Sequence, residues 1–204
     1  MSDATDQLGN YNGTATNVNF NTEGKFGFAG AFNGSSSTFF LASAGTSVTN
    51  YDSDFSVSMW FNVSSWASAA SSDFLWTGGG TRIVNLGLTG SYGLAFDLWN
   101  SGSNIVSTTG LSENIWYNLV ITRSKTAGMV LYINGASVDT NSFTGNAGNL
   151  SSQDSLGTYW NNTRNNFTGK IDQVRIYDSA ISAANVTALY NEIECPAVAV
   201  TNAF

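Results

Sequence analysis

The chain has 204 residues, of which 13% are aromatic and only 10% charged, with 21 glycines and a single proline. That mixture suits short strands joined by polar loops around one core of ordinary size. Seven Lys and Arg stand against 14 Asp and Glu, for a net charge of −7, and their dispersal argues against the basic stripe that a nucleic acid requires. Histidine is absent, which excludes Ser-His-Asp and Cys-His chemistry and any His-ligated zinc.

Cys195 is the lone cysteine, so no internal disulfide can form. No run of about 18 apolar residues occurs, and membrane insertion is not expected. No basic stretch leading into an apolar one follows Met1, so export is expected without a cleavable signal on this chain, as part of a larger product or within an assembled particle.

In chain order, the first strand signals are Ala29–Phe32 and Thr38–Leu41, separated by the turn-forming Asn33-Gly34. Asp52 and Asp54 follow, two residues apart, and read as solvated turn residues. Phe55–Val63 is the clearest strand: Phe55, Val57, Met59, Phe61 and Val63 alternate with Ser56, Ser58, Trp60 and Asn62, which marks a core strand whose other face carries Trp60.

Asp73–Thr77, Ile83–Leu88, Leu94–Trp99 and Asn104–Thr108 are shorter strand candidates bounded by Gly, Ser and Asn. Trp66, in the SSWASAASSD loop before Asp73, and Tyr92, in GSYG, are aromatic candidates for a ligand contact. Trp116–Arg123 and Met129–Ile133 are apolar strands, and Asn134-Gly135 supplies a type I′ hairpin signal. Trp76 and Trp99 sit in apolar strand segments and read as packing residues.

The segment GTYWNNTRNNFTG at 157–169 gathers Tyr159, Trp160, Asn162 and Arg164. Aromatic faces beside amide and guanidinium groups suit a polyol, which needs both stacking and directional hydrogen bonds. The bland alternative is that Trp160 folds back over the sandwich edge. Glycine-rich TGGGTR at 77–82 lacks the lysine and following helix of a phosphate loop.

GKIDQVRIYDSAIS at 169–182 then reads as a strand in which strict alternation puts Asp172 on one face with Val174 and Ile176. A carboxylate there must be solvated, hydrogen-bonded to backbone amides, or bound to a cation. Finally SAANVTALYNE has Ser182 as a cap and Val186, Leu189 and Tyr190 on one helical face. Antiparallel strands with one late helix predict an all-β fold: a two-sheet antiparallel jelly-roll sandwich with one short C-terminal helix, forming a single domain over 1–204.

Four stretches taken in this order resemble the laminin-G-like, concanavalin A-like lectin and glucanase jelly rolls: LGNYNGTATNVNFNTEGKFGFAGAFNGSSSTFF, FSVSMWFNV, WYNLVITRSKTAGMVLYINGASV and FTGKIDQVRIYDSAISAANVTALYNE. The resemblance covers residues 8–192, leaves 193–204 as a tail, and implies that Trp116 at the start of its strand packs in the core. It implies the jelly-roll fold and a structural calcium, with Asp172 and Asn33 at positions matching its ligands; calcium takes six to eight oxygens, which carboxylates, amide carbonyls and backbone carbonyls supply.

The glucanase members carry glutamates and an aspartate alternating on one strand, whereas Glu23, Glu113, Glu192 and Glu194 form no such cluster, so a non-catalytic protein is expected. Modules of this kind are similar to those of marine bacterial and phage surface proteins. In them an apolar strand precedes the first motif, and Val198–Phe204 is expected to supply that missing strand, in its own subunit or a neighbour's. Two functions follow as expectations. One is a glycan- or polysaccharide-binding adhesion module using Trp160, Tyr159, Asn162, Arg164 and Trp66. The other is a structural virion or fibre module whose partners are neighbouring virion or surface-protein subunits.

Overall fold

The computed structural model describes residues 3–5, 8, 11–41, 50–66, 74–78, 84–89, 92–98, 105–145, 154–158 and 166–193. Strands are numbered in chain order. One seven-stranded sheet runs in spatial order β1 (Thr14–Thr16), β4 (Thr38–Leu41), β13 (Asp154–Leu156), β6 (Phe74–Gly78), β7 (Val84–Thr89), β8 (Gly93–Leu98) and β9 (Ile105–Thr108). The other, also of seven, runs β12 (Ala136–Asn141), β11 (Gly128–Ile133), β10 (Trp116–Ser124), β5 (Phe55–Val63), β14 (Thr168–Tyr177), β3 (Phe28–Asn33) and β2 (Asn19–Glu23). The two antiparallel sheets pack as a jelly-roll sandwich.

Alternation explains the core. Phe55, Val57, Met59, Phe61 and Val63 of β5 face Leu86 and Leu88 of β7 and Leu94, Phe96 and Leu98 of β8 within one buried cluster. Each such side chain contributes about 1.5–3 kcal/mol on removal from water. Trp76, expected to pack, is fully buried and touches the rings of Tyr51 and Phe55. Trp116, expected in the core, is only half-buried, because it opens β10 at the sandwich end.

Trp60 lies on the outer face of β5 and is nonetheless buried. A second, smaller cluster covers that face: helix α1 (Ala183–Tyr190) sets Val186 and Leu189 against Val120 and Tyr132, and Tyr190 stacks on Trp60 at 5.9 Å. The Lys25 ammonium sits 4.4 Å from the Trp60 ring centroid and the Phe26 ring meets it edge-on. Ser182 caps the helix, its side chain accepting from the Asn185 N–H.

One expectation is corrected. Asp172 does not share a face with Val174 and Ile176. In the β14–β5 ladder Asp172 opposes Trp60 and Arg175 opposes Ser58, with a register shift between them. Two residues, Gln173 and Val174, therefore stand against one, and Gln173 has φ of 50°. This β-bulge inverts the alternation, so Asp172 points with Trp60 to the outer face while Val174 and Ile176 pack against the main core. Sequence periodicity assumes a continuous pleat and cannot register an inserted residue.

Asn134 and Gly135 both have positive φ, at 51° and 80°, as a type I′ turn requires. Strands β1, β2 and β13 carry no strong apolar alternation and were not anticipated, whereas β12 is the return strand of the Asn134-Gly135 hairpin. Trp99, Cys195 and the proposed strand Val198–Phe204 lie outside the described residues.

Candidate functional site

Asp172 and Asn33 were the expected cation ligands. Asp172 is fully buried. Its Oδ2 accepts from the backbone N–H groups of Lys25 at 3.0 Å and Phe26 at 3.1 Å, and its Oδ1 from that of Gln173 at 2.8 Å. The carboxylate thus ties the β2–β3 turn to β14 over a sequence separation of 147 residues. N–H donors suit an anion, whereas a cation needs oxygens in those directions; these three contacts tie the carboxylate to backbone amides.

Asn33 Oδ1 accepts from the N–H groups of Ser35, Ser36 and Ser37 at 2.9–3.0 Å and from the Ser35 hydroxyl, organising its own turn. Asn33 pairs with Thr168, four residues before Asp172, a separation of roughly 13 Å along the strand. The two residues do not meet around one ion. Among the described residues no group of three or more His, Cys, Asp or Glu is arranged to hold a metal.

Asp52 and Asp54 brace the β10–β11 turn. Asp52 Oδ1 lies 3.2 Å from the Lys125 ammonium and Asp54 Oδ1 accepts from the Lys125 N–H at 2.7 Å.

The loops at one end of the sandwich bring other candidates together. Trp66 and Tyr92, on separate loops, meet edge to face with ring centroids 5.6 Å apart. The Trp66 N–H donates to Glu113 Oε1 at 2.8 Å, so the segment between β9 and β10 joins the same corner. There, the Leu111 N–H donates to the Tyr92 carbonyl at 2.9 Å and the Asn114 N–H to the Val63 carbonyl at 2.7 Å. Tyr92 holds φ of 56°, which turns the β7–β8 hairpin and leaves its side chain 54% exposed. The indole of Trp66 packs against the core, and its buried Nε1 meets no acceptor among the described residues. The corner thus presents a supported aromatic edge, an exposed phenol and a carboxylate.

Tyr159, Trp160, Asn162 and Arg164 lie outside the described residues, but the residues flanking them are fixed at this same end. The Thr158 hydroxyl donates to Asn166 Oδ1 at 2.7 Å, and Asn166 Nδ2 donates to the Ser35 carbonyl at 2.6 Å. The Ser64 N–H donates to the Thr168 carbonyl at 3.0 Å, which places the start of β14 two residues from Trp66. Gly157 has φ of 70°, and a Cβ there would fall 2.2 Å from the Phe32 ring, so the entry to this segment requires glycine.

Sequence reasoning proposed Trp66 and Tyr92 separately and could not show that they touch. It weighed Glu113 only as a member of a catalytic glutamate cluster and not as a ligand contact. It also missed Asp97 and Asp154, carboxylates inside strands β8 and β13; the available signal was an acidic residue within an otherwise apolar or short strand.

With this geometry, the chain belongs to the concanavalin A-like lectin/glucanase superfamily, whose family model matches residues 32–187. Comparison with curated protein sequences finds no match. Among solved structures, the chain is similar to domain 4 of AbnA, an extracellular arabinanase from Geobacillus stearothermophilus in complex with arabinotriose. That similarity has 22% identity and a TM-score of 0.71 over 92% of this chain and 93% of that one. It is also similar to the binding domain of Paraclostridial Mosquitocidal Protein 1, at 22% identity and a TM-score of 0.73 over 92% of this chain and 49% of that one. A botulinum neurotoxin type C structure, described by its dependence on two ganglioside molecules for cell entry, aligns at 18% identity with a TM-score of 0.68, over 90% of this chain and 47% of that one. The chain spans about half the length of the two toxin structures.

Proposed function

We propose that the chain is a non-catalytic glycan-binding module of a larger secreted or surface protein, and that its ligand meets the rim formed by Trp66, Tyr92 and Glu113, with Tyr159, Trp160, Asn162 and Arg164 as further contacts. The observation that carries this reading is the Tyr92 ring, more than half exposed yet held edge-on by Trp66. A buried aromatic serves packing; an exposed one on a braced polar rim suits the apolar face of a sugar ring, with Glu113 in reach of its hydroxyls. Support of a coarser kind comes from the fold relatives, one solved with arabinotriose and another dependent on gangliosides. The absence of histidine and of paired glutamates on a strand agrees with binding without turnover.

The test is binding of the purified chain to arrayed plant, microbial and animal glycans, in calcium and then in chelator. Selective binding is expected, weakened at least about tenfold in Tyr92→Ala, the size of one lost stacking contact, and in Trp160→Ala. Tyr92 is exposed, so its removal leaves the melting temperature within a degree or two. A blank array from well-folded protein, or undiminished binding by both variants, overturns the reading.

A further inference from the structure

Carboxylates elsewhere in the sandwich serve the fold. Asp172 and Asp139 accept from backbone N–H groups, Asp54 from the Lys125 N–H and Asp154 from the Tyr51 hydroxyl. Asp52 and Glu192 pair with Lys125 and Arg175. Glu113 is different. It is exposed, its Oε1 accepts only the Trp66 N–H, and among the described residues no lysine or arginine pairs with it.

An exposed carboxylate on a free loop samples many positions, whereas this one is fixed. The Leu111 N–H donates to the Tyr92 carbonyl at 2.9 Å and the Asn114 N–H to the Val63 carbonyl at 2.7 Å. Between them, the Ser112 N–H donates to the Tyr117 hydroxyl at 2.9 Å, and the Tyr117 ring stacks on Phe61 of β5 at 5.7 Å. Gly110 and Asn114, with φ of 79° and 60°, bracket the segment. Trp66 completes the arrangement: its backbone N–H holds the Glu113 carboxylate and its ring braces the exposed Tyr92 ring. One residue thus sets the charge and the stacking surface relative to each other, and Glu113 Oε2 is left without a protein partner among the described residues.

A sugar stacked on Tyr92 therefore meets a fixed negative charge. Sugar hydroxyls donate to a carboxylate in a charge-assisted bond; a sugar carboxylate or sulfate has no proton to give and is repelled. The net charge of −7 adds to that repulsion at longer range. Lys170, the described cation of the neighbouring β14, does not offset it: its ammonium donates to the Glu23 carbonyl at 3.1 Å, at the end of β2.

We infer that Glu113 sets the ligand class of the rim: it selects neutral glycans, whose hydroxyls it accepts, and rejects glycans that carry a carboxylate or sulfate on the sugar over Tyr92. The inference rests on the glycan-binding reading and narrows it to one substrate class.

The experiment uses an array that sets neutral oligosaccharides beside their sialylated, uronate-bearing and sulfated counterparts. Wild type, Glu113→Gln, Tyr92→Ala and Arg164→Ala are compared at about 0.1 M and about 1 M salt, between which the screening length falls from about 10 Å to about 3 Å. Thermal unfolding of each is the fold control, and glutamine keeps an acceptor for the Trp66 N–H. Wild type is expected to favour the neutral member of each pair by about tenfold or more at the lower salt. That preference should shrink at the higher salt, and Glu113→Gln should bind both members alike. A Glu113 that served only the fold would change both members equally, and an unchanged preference in Glu113→Gln overturns the inference. So does wild-type binding of the acidic members as well as or better than the neutral ones, including binding that Arg164→Ala abolishes. If that acidic binding is lost in Tyr92→Ala, the rim reading stands without this inference. If wild type binds nothing on the array, both fall together.

Discussion

Replacing Asp172 by alanine tests whether this buried carboxylate is a backbone anchor or a cation ligand. The substitution removes the acceptor of the Lys25, Phe26 and Gln173 N–H groups, which lie 2.8–3.1 Å away. Gln173 is adjacent in sequence and regains water readily, so the loss concentrates on the Lys25–Phe26 turn and on the void beneath it. Two charge-assisted bonds in a part-buried setting contribute about 1.5 kcal/mol or more each, for a total near 3 kcal/mol. For a domain of this size that corresponds to a fall in melting temperature of about 6–12 °C.

Asp172→Asn keeps one acceptor oxygen but turns an NH2 group toward an N–H, and should lose about half as much. Gly24→Ala should act through the same contact, since a Cβ at Gly24 would lie 2.7 Å from Asp172 Oδ2. The assay is calorimetric unfolding, run once with excess calcium and once with chelator. The reasoning predicts the same deficit in both, because a backbone anchor needs no ion. A deficit confined to the calcium series would assign Asp172 to a metal, since an ion bound only by the folded state raises its melting temperature. Alanine and asparagine variants that melt within a degree of wild type would refute the anchor outright.

Three further outcomes are expected. Tyr51→Phe removes a hydroxyl donor from the fully buried Asp154 and should destabilise by about 1.5–3 kcal/mol, read as a lower midpoint in guanidinium unfolding at unchanged slope. Ser182→Ala removes the α1 cap and should cost about 1 kcal/mol, visible as faster exchange of the first helical amides. Asp97→Asn should be more stable than wild type at neutral pH. With the folded carboxyl raised by desolvation, wild-type stability is full below the ordinary aspartate range and falls as pH rises through the raised value. The two proteins should therefore converge in acid; a constant difference across pH would show that Asp97 does not titrate as its burial requires.

Much of the sandwich was legible because side-chain alternation is a local consequence of the pleat. Phe55–Val63 and Thr38–Leu41 form strands with the expected bounds, and β10 and β11 differ by one residue each. The helix was equally plain, since Ser182 and the spacing of Val186 and Leu189 are contained within one short stretch. The Asn134-Gly135 turn needed only the two residues themselves.

Where one extra residue enters a ladder, local reading fails. The bulge at Gln173 and Val174 exists only against β5, so the face of Asp172 could not be known from β14 alone. The same holds for the covering of Trp60, which depends on a helix more than 120 residues later, and for the Trp66–Tyr92 contact, made by two loops. Sequence by itself determined an all-β chain, because burial periodicity and turn chemistry are properties of neighbouring residues, and four motifs in order carried its resemblance to the concanavalin A-like jelly rolls. Tertiary structure alone decided which backbone amides reach Asp172, that Trp66 and Tyr92 share a rim, and that Asp97 Oδ1 finds no donor among the described residues. Hydrogen-bond partners and solvent access are set by strands and loops distant in sequence.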